Sequence, residues 1–411
     1  RKRPVLVWLH GGGFSAGSGQ ELKSYDGENL SRRGEVIVVT LNHRLNVFGY
    51  LNLAEYGEKY ASSANVGQLD LVAALEWVRD NIANFGGDPG NITIFGQSGG
   101  GSKVGALMAM PAAKGLFHRA IIQSGSSLRQ APPERSAQLA AAVMAELGLN
   151  ASTINQLHEL PYQRLTEAAI AAIRKLNPTP AVPGSGMGIN WGPTVDGRIL
   201  PQHSFDPAAP SYSANIPLMV GTVLNEFTTG IGNQQFESLT NEELKKRVTA
   251  TRGDRAEQII EVFRRVHPNA KPCDLLSRIN AAGPRQNAVT QAERKAAQAA
   301  APAYLYWFTW QTPVLDGRPR AFHCAELPFV FYNTDRCAAM TGGTTEARAL
   351  SAKVADAWIN FARKGDPNHS GLPKWRAFAA DQCPTMIFDN KCELKNNPDG
   401  EERQAINGRS A

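Results

Sequence analysis

No stretch of the 411 residues approaches the 18 consecutive apolar residues that a membrane-spanning helix needs, so no membrane span is expected. Cysteine is sparse. The five are Cys273, Cys324, Cys337, Cys383 and Cys392, with no C-x-x-C, no metal-type spacing and no H-E-x-x-H. A disulfide scaffold and the common zinc sites are therefore excluded, and no metal or other cofactor is expected. Cys383 and Cys392 are close enough in sequence to pair, but two separate thiols fit better. Excess charge is also missing: 43 Lys and Arg against 37 Asp and Glu leave a formal +6. The basic residues are scattered, apart from Arg1-Lys2-Arg3, Lys245-Lys246-Arg247 and Arg264-Arg265, and no aromatics interleave with them. They read as solvated faces, and a nucleic-acid partner is not expected. There is no internal repeat. Asn91-Ile92-Thr93, Asn150-Ala151-Ser152 and Asn368-His369-Ser370 match the glycosylation sequon, a frequent chance pattern.

What is present is a chain long enough to bury a sizeable core. Short runs at residues 5–9, 36–41, 92–95, 120–123, 218–220 and 304–310 are mostly apolar on both faces, as a covered parallel sheet requires, and 385–388 reads as a last strand. Residues 71–82, 134–147 and 350–364 read as helices, the second stopped by Gly148. The expected class is therefore α/β, a mostly parallel central sheet flanked by helices. Residues of about 127–191 and 237–301 are richer in helical pattern, alanine and charge, and read as helical insertions over the sheet's C-terminal edge.

Two glycine-rich segments follow strands. Gly96-Gln97-Ser98-Gly99-Gly100 comes directly off Ile92-Thr93-Ile94-Phe95 and leads into a helix beginning near Lys103. A serine in such a strand-to-helix turn is pushed out at the sheet edge, with helix N–H groups beside its hydroxyl. His10-Gly11-Gly12-Gly13-Phe14 follows residues 5–9, and consecutive glycines there leave N–H groups free to donate to an oxyanion. The expected donors are Gly12, Gly13 and Gly99. Gly11-x-Gly13-x-x-Ala16 also fits a dinucleotide fingerprint formally. The polar, glycine-broken residues 18–27 and the lack of an acidic end to the next strand argue against it.

Three further stretches carry a resemblance. They are Asn42-His43-Arg44-Leu45-Asn46-Val47-Phe48-Gly49-Tyr50; Asn65-Val66-Gly67-Gln68-Leu69-Asp70 with Trp77-Val78, Asn81-Ile82 and Phe85-Gly86-Gly87-Asp88-Pro89; and Gln123-Ser124-Gly125-Ser126. Together with the glycine motifs they resemble the type-B carboxylesterase family of the α/β-hydrolase superfamily, which includes cholinesterases, and the chain looks like a bacterial-type member. The resemblance runs from about Pro4 to Asp389. It implies one α/β-hydrolase catalytic domain over 1–411 and a segment of antiparallel strands ahead of the strand at Val5. A fragment or processed chain is thus expected. The compartment is left open between a bacterial cytoplasm and an exported form.

A nucleophilic serine needs a base and an orienting acid, in chain order Ser, Asp/Glu, His in this fold. His323, in Ala321-Phe322-His323-Cys324-Ala325-Glu326-Leu327-Pro328-Phe329, follows an aromatic-rich strand, and the resemblance places the family's base there. His43, His118, His267 and His369 read as packed or surface residues. Glu226, just past residues 217–222, looks like the glutamate of a Ser-Glu-His triad. Asp196 and Glu326 are its rivals, the first reading as a turn residue and the second as a neighbour in the histidine's water network. Phe14, Phe227 and Phe329 are candidate pocket residues. Gln97 and Gly99 depart from the acidic residue and alanine found at these positions in many members. That departure removes a negative charge beside the triad and puts cholinesterase-like specificity in doubt. The expected function is hydrolysis of a small carboxylic ester through a serine acyl-enzyme. The alternatives are an inactive hydrolase-fold adhesion protein, or amide or thioester hydrolysis by the same residues. Cys324, beside the base, is a candidate modification site.

Overall fold

A computed structural model of the chain describes residues 2–178 and 188–408. Arg1 of the basic opening and residues 179–187 of the expected insertion at 127–191 lie outside the described residues.

Eight strands form one sheet: β1 (Arg3–Leu9), β2 (Ile37–Thr40), β3 (Gly87–Gln97), β4 (Arg119–Gln123), β5 (Leu218–Val223), β6 (Ala303–Phe308), β7 (Pro384–Phe388) and β8 (Glu393–Asn396). Their order is β2-β1-β3-β4-β5-β6-β7-β8. Every neighbouring pair is parallel except β7 with β8. The order reverses at β1: its successor β2 lies on one side and β3 on the other. In an open parallel sheet a crevice forms at the carboxyl ends of the strands flanking such a switch point. Leu9 is level with Gly96, and Gln97 with Gln123, so the glycine loop after β1 and the serine turn after β3 leave the sheet side by side.

Side chains alternate between faces along each strand. Val5, Val7, Leu9, Ile94, Ile122 and Val220 fill one core with Leu71 and Leu75 of helix Val66–Asn81. Leu6, Trp8, Phe95, Ile121, Met219 and Tyr306 fill the other with Val354 and Trp358 of helix Thr345–Lys364. The latter helix starts earlier than expected because the Thr344 side chain accepts a hydrogen bond from the Ala347 N–H, capping the first turn. Helix Pro272–Ala296 packs Ala288, Val289 and Ala292 onto the sheet, whereas Asn241–Arg252 and Ala256–Val266 gather around Phe236 in a small separate core.

Two expectations are corrected. The 385–388 strand is not the last: β8 pairs with it antiparallel, and helix Gly400–Asn407 follows. β8 is a polar edge strand, Glu-Leu-Lys-Asn, without an apolar run to announce it. β3 begins at Gly87 rather than Ile92, because Arg3 pairs with Gly87 and draws Gly-Asp-Pro-Gly into the strand. All five cysteines are free thiols, Cys383 and Cys392 included. Among the described residues no helix is long and apolar enough to cross a membrane.

The junction between β1 and helix Gly99–Met108 is the tightest contact near the switch point. A Cβ on Gly100 would overlap the carbonyl oxygen of Leu9, whereas one on Gly105, in the same helix, would meet nothing nearer than 3.6 Å. Gly100→Ala is therefore expected to lower the unfolding free energy by about 1–3 kcal/mol. Gly105→Ala should be neutral or stabilising by up to about 1 kcal/mol. Urea melts of the two variants check this; equal midpoints would contradict the close approach.

Candidate active site

β3 delivers its last residue, Gln97, to the crevice, and the chain then turns sharply. Ser98 has φ 56° and ψ −125°, a conformation that costs an L-residue free energy and is held by its surroundings. Its N–H donates to the Gln123 carbonyl at 2.8 Å, and its own carbonyl accepts from the Ser102 N–H at 3.1 Å. The turn aims the N-terminus of the buried ten-residue helix Gly99–Met108 at the serine.

The β1 loop meets this turn. Gly12 and Gly13 have φ of 80° and 61°, and the Gly12 carbonyl accepts from the Ser15 and Ala16 N–H groups. The N–H groups of Gly12, Gly13 and Gly99 donate to no acceptor among the described residues. A Cβ at position 99 would overlap the Gly13 backbone, so glycine there lets the loop settle against the turn. Phe14 packs edge-on to Tyr50 and lines a cleft of about 470 Å³ with Ser102, Ser127 and Trp191. Ser98 and His323 are not part of that lining.

Beneath the loop lies a residue the sequence reading passed over. Lys103 is fully buried, and its ammonium donates to the His10 carbonyl at 2.9 Å. Burial pushes Lys103 down to about 7. The rings of His10 and His43 stack at 5.3 Å. Burial, then Lys103, holds His10 at about 4. Burial, Lys103 and His10 together hold His43 at about 3. Both imidazoles are therefore neutral at neutral pH. The signal for Lys103 was legible as a charge inside an otherwise small and apolar helix.

Glu226 and His323 come from the exits of β5 and β6, which are neighbours. The Glu226 carbonyl accepts from the His323 N–H at 2.8 Å, within a parallel bridge between Glu226 and Phe322. Their side chains meet with Glu226 Oε2 2.6 Å from His323 Nδ1, and Glu226 Oε1 accepts from the Val223 N–H at 3.2 Å. Glu226 is 2% exposed and has φ 44°, so its carboxylate is fixed by a strained, dry backbone as well as by the imidazole. A carboxylate on Nδ1 keeps the proton there and leaves Nε2 as an acceptor. The Phe227 ring lies 3.9 Å from the imidazole and is half-exposed.

The remaining candidates fall elsewhere. Phe329 is fully buried and packs on Phe308 and Trp310, so it belongs to the core and not to a pocket. Asp196 accepts from the Arg198 and Leu200 N–H groups and from the Asn65 amide, as a turn residue does. Glu326 is buried behind the pair, accepts from the Gln123 amide at 3.2 Å, and is pushed up to about 7 by burial. His267 contacts Glu402, His369 contacts the Lys353 carbonyl, and His118 accepts from the Ile92 N–H. Among the described residues no group of three His, Cys, Asp or Glu could hold a metal ion. One contact had no counterpart in the sequence reading. The partner of His323 Nε2 among the described residues is the Gln97 amide, at 3.2 Å, whose oxygen accepts from the Cys324 thiol at 3.3 Å.

Comparison with known proteins agrees with this architecture. The model of the carboxylesterase family matches residues 1–406. The chain is 37% identical to the para-nitrobenzyl esterase of Bacillus subtilis, covering 98% of this chain and 79% of that protein. It is 31% identical to the phenmedipham hydrolase of Pseudarthrobacter oxydans, covering 95% and 76%. Among solved structures, an esterase from Clostridium hathewayi described as hydrolysing aliphatic aromatic polyesters superposes with a TM-score of 0.81 at 40% identity, over 99% of this chain and 79% of that one. A Geobacillus stearothermophilus carboxylesterase gives 0.81 at 35% identity, over 98% and 82%. Sheet order, crevice and sequence match lead to one conclusion: the chain belongs to the carboxylesterase family and is a carboxylesterase of the α/β-hydrolase fold.

Proposed function

We propose that the chain hydrolyses small carboxylic esters through a serine acyl-enzyme, with Ser98 as nucleophile, His323 as base and Glu226 as the acid that orients it. The observation that carries this reading is the 2.6 Å contact between Glu226 and His323 Nδ1, with His323 Nε2 on the side chain of Gln97, the residue before Ser98. Ser98 Oγ attacks the ester carbonyl while its proton passes to His323 Nε2. The carbonyl electrons move onto oxygen, and the N–H groups of Gly12, Gly13 and Gly99 receive the negative charge. Each such donor contributes on the order of 3–4 kcal/mol of transition-state stabilisation. His323 then gives its proton to the leaving alcohol, and water repeats the sequence to release the acid and regenerate Ser98. Glu226 stays ionised throughout and stabilises the imidazolium. Helices Pro133–Leu147 and Tyr162–Leu176 and the helical stretch at about 237–301 would wall the pocket with Phe14 and Phe227 and set the acyl and alcohol range. All of these roles fall within one catalytic domain.

Hydrolysis of a p-nitrophenyl acyl series tests the proposal. The parent should turn the esters over and rank its acyl pocket by chain length. Ser98→Ala should lose at least about 10⁴-fold in kcat. Activity that survives in Ser98→Ala would sink the mechanism. Glu226→Gln keeps the size of the side chain but removes the charge that fixes the tautomer. It should lower kcat about 10⁴-fold with KM little changed, a split that steady-state kinetics on the same esters resolves. Full activity in Glu226→Gln would remove the acid from the proposal.

A further inference from the structure

The nitrogen that must receive the serine proton is already engaged. With Nδ1–H committed to Glu226, His323 Nε2 has one lone pair to offer, and the Gln97 NH2 donates to it at 3.2 Å. The amide orientation is fixed from its other end. Gln97 Oε1 accepts from the Cys324 thiol at 3.3 Å, and a carbonyl turned toward Nε2 would leave two acceptors facing each other. Gln97 is 1% exposed and has room for this pose beside Gly11, where a side chain would crowd both its carbonyl and its amide oxygen. Cys324 is held at φ 79°, and burial pushes its thiol well up, so it remains a protonated donor.

We propose that Gln97, set in orientation by Cys324, is a positioning residue that keeps His323 Nε2 unprotonated until the Ser98 hydroxyl displaces the amide, and thereby places the acid limb of the enzyme's pH profile. This rests on the acyl-enzyme reading above. A donor on Nε2 favours the neutral imidazole; once that nitrogen is protonated, the same NH2 faces an N–H and the contact turns repulsive. A carboxylate at position 97 would act in the opposite sense. The chain therefore keeps a competent base at lower pH than it would with an acid there. The titratable groups around the amide are Glu226 and Glu326 from the strand exits, the Cys324 thiol, the buried Tyr25 and Tyr306 phenols, and Glu21 from the β1 loop. Of these, the Cys324 thiol touches the amide directly, donating to Gln97 Oε1 at 3.3 Å.

The test is kcat/KM for p-nitrophenyl acetate against pH in the parent, Gln97→Glu, Gln97→Met, Cys324→Ala and Cys324→Ser. Gln97→Glu should move the acid limb up by about one pH unit or more, a tenfold loss of rate below the limb relative to its own plateau. Gln97→Met and Cys324→Ala should move it up by less, because each removes the donor or frees the amide to turn. Cys324→Ser, which keeps a donor, should superpose on the parent. Titration of the His323 ring nitrogens by ¹⁵N NMR in the parent and Gln97→Met gives a second readout that needs no turnover. A limb that stays in place in Gln97→Glu, or matching ring titrations in parent and Gln97→Met, would overturn the proposal. A Cys324→Ala profile identical to the parent would remove the thiol from it. If the parent hydrolyses no ester, the acyl-enzyme reading fails by itself, and the ring titration still decides the role of Gln97.

Discussion

The site depends on the approach of two backbones at the end of β1. Gly100 sits against the Leu9 carbonyl so closely that no side chain fits between them, and a Cβ on Gly99 would overlap the Gly13 backbone. These contacts seat helix Gly99–Met108 against the β1 loop, next to Ser98 with its positive φ. The sheet supplies the force that holds them. Val104, Leu107 and Met108 of that helix share one core with Val5, Val7 and Leu9 of β1, so lifting the helix away from β1 would expose that core's apolar surface. Strain at Ser98, and likewise at Glu226, persists because the surroundings leave no alternative.

How much of this was legible in the chain follows from the range over which each signal acts. β1, β4 and β5 announce themselves because a strand covered on both faces must be apolar throughout. The two glycine motifs are equally local, since a close approach or a positive φ is recorded at the residue that suffers it. β8 left no such mark. As a polar edge strand it is specified by β7, its partner, and not by its own composition. The start of β3 was hidden for the same reason: Gly-Asp-Pro-Gly has the chemistry of a turn, and only pairing with Arg3 overrides it.

The site shows the same division. Glu226 and His323 could be named from strand exits and chain order, but that the acid also takes the Val223 N–H could not. The Gln97 contact with His323 joins residues 226 positions apart and has no local signature. Gln97 stood out as a missing charge, and what the amide does with its hydrogens became visible only in three dimensions. Phe329 shows the converse: an aromatic two residues past Leu327 is equally consistent with a pocket or a core, and packing on Phe308 and Trp310 decides for the core.

The short bridge between Glu226 and Phe322 has a consequence for how such a protein can change. The chain leaves the β5 exit at Glu226, travels through helices Asn241–Arg252, Ala256–Val266 and Pro272–Ala296, forms β6 and returns to the bridge. The excursion is pinned at its neck by two backbone hydrogen bonds, His323 N–H to the Glu226 carbonyl and Asn225 N–H to the Ala321 carbonyl, and by the side chains of Glu226 and Asn225. The first two helices pack mainly around Phe236 and are largely polar outside that small core. Their sequence and length can drift while the carboxylate and imidazole stay in register.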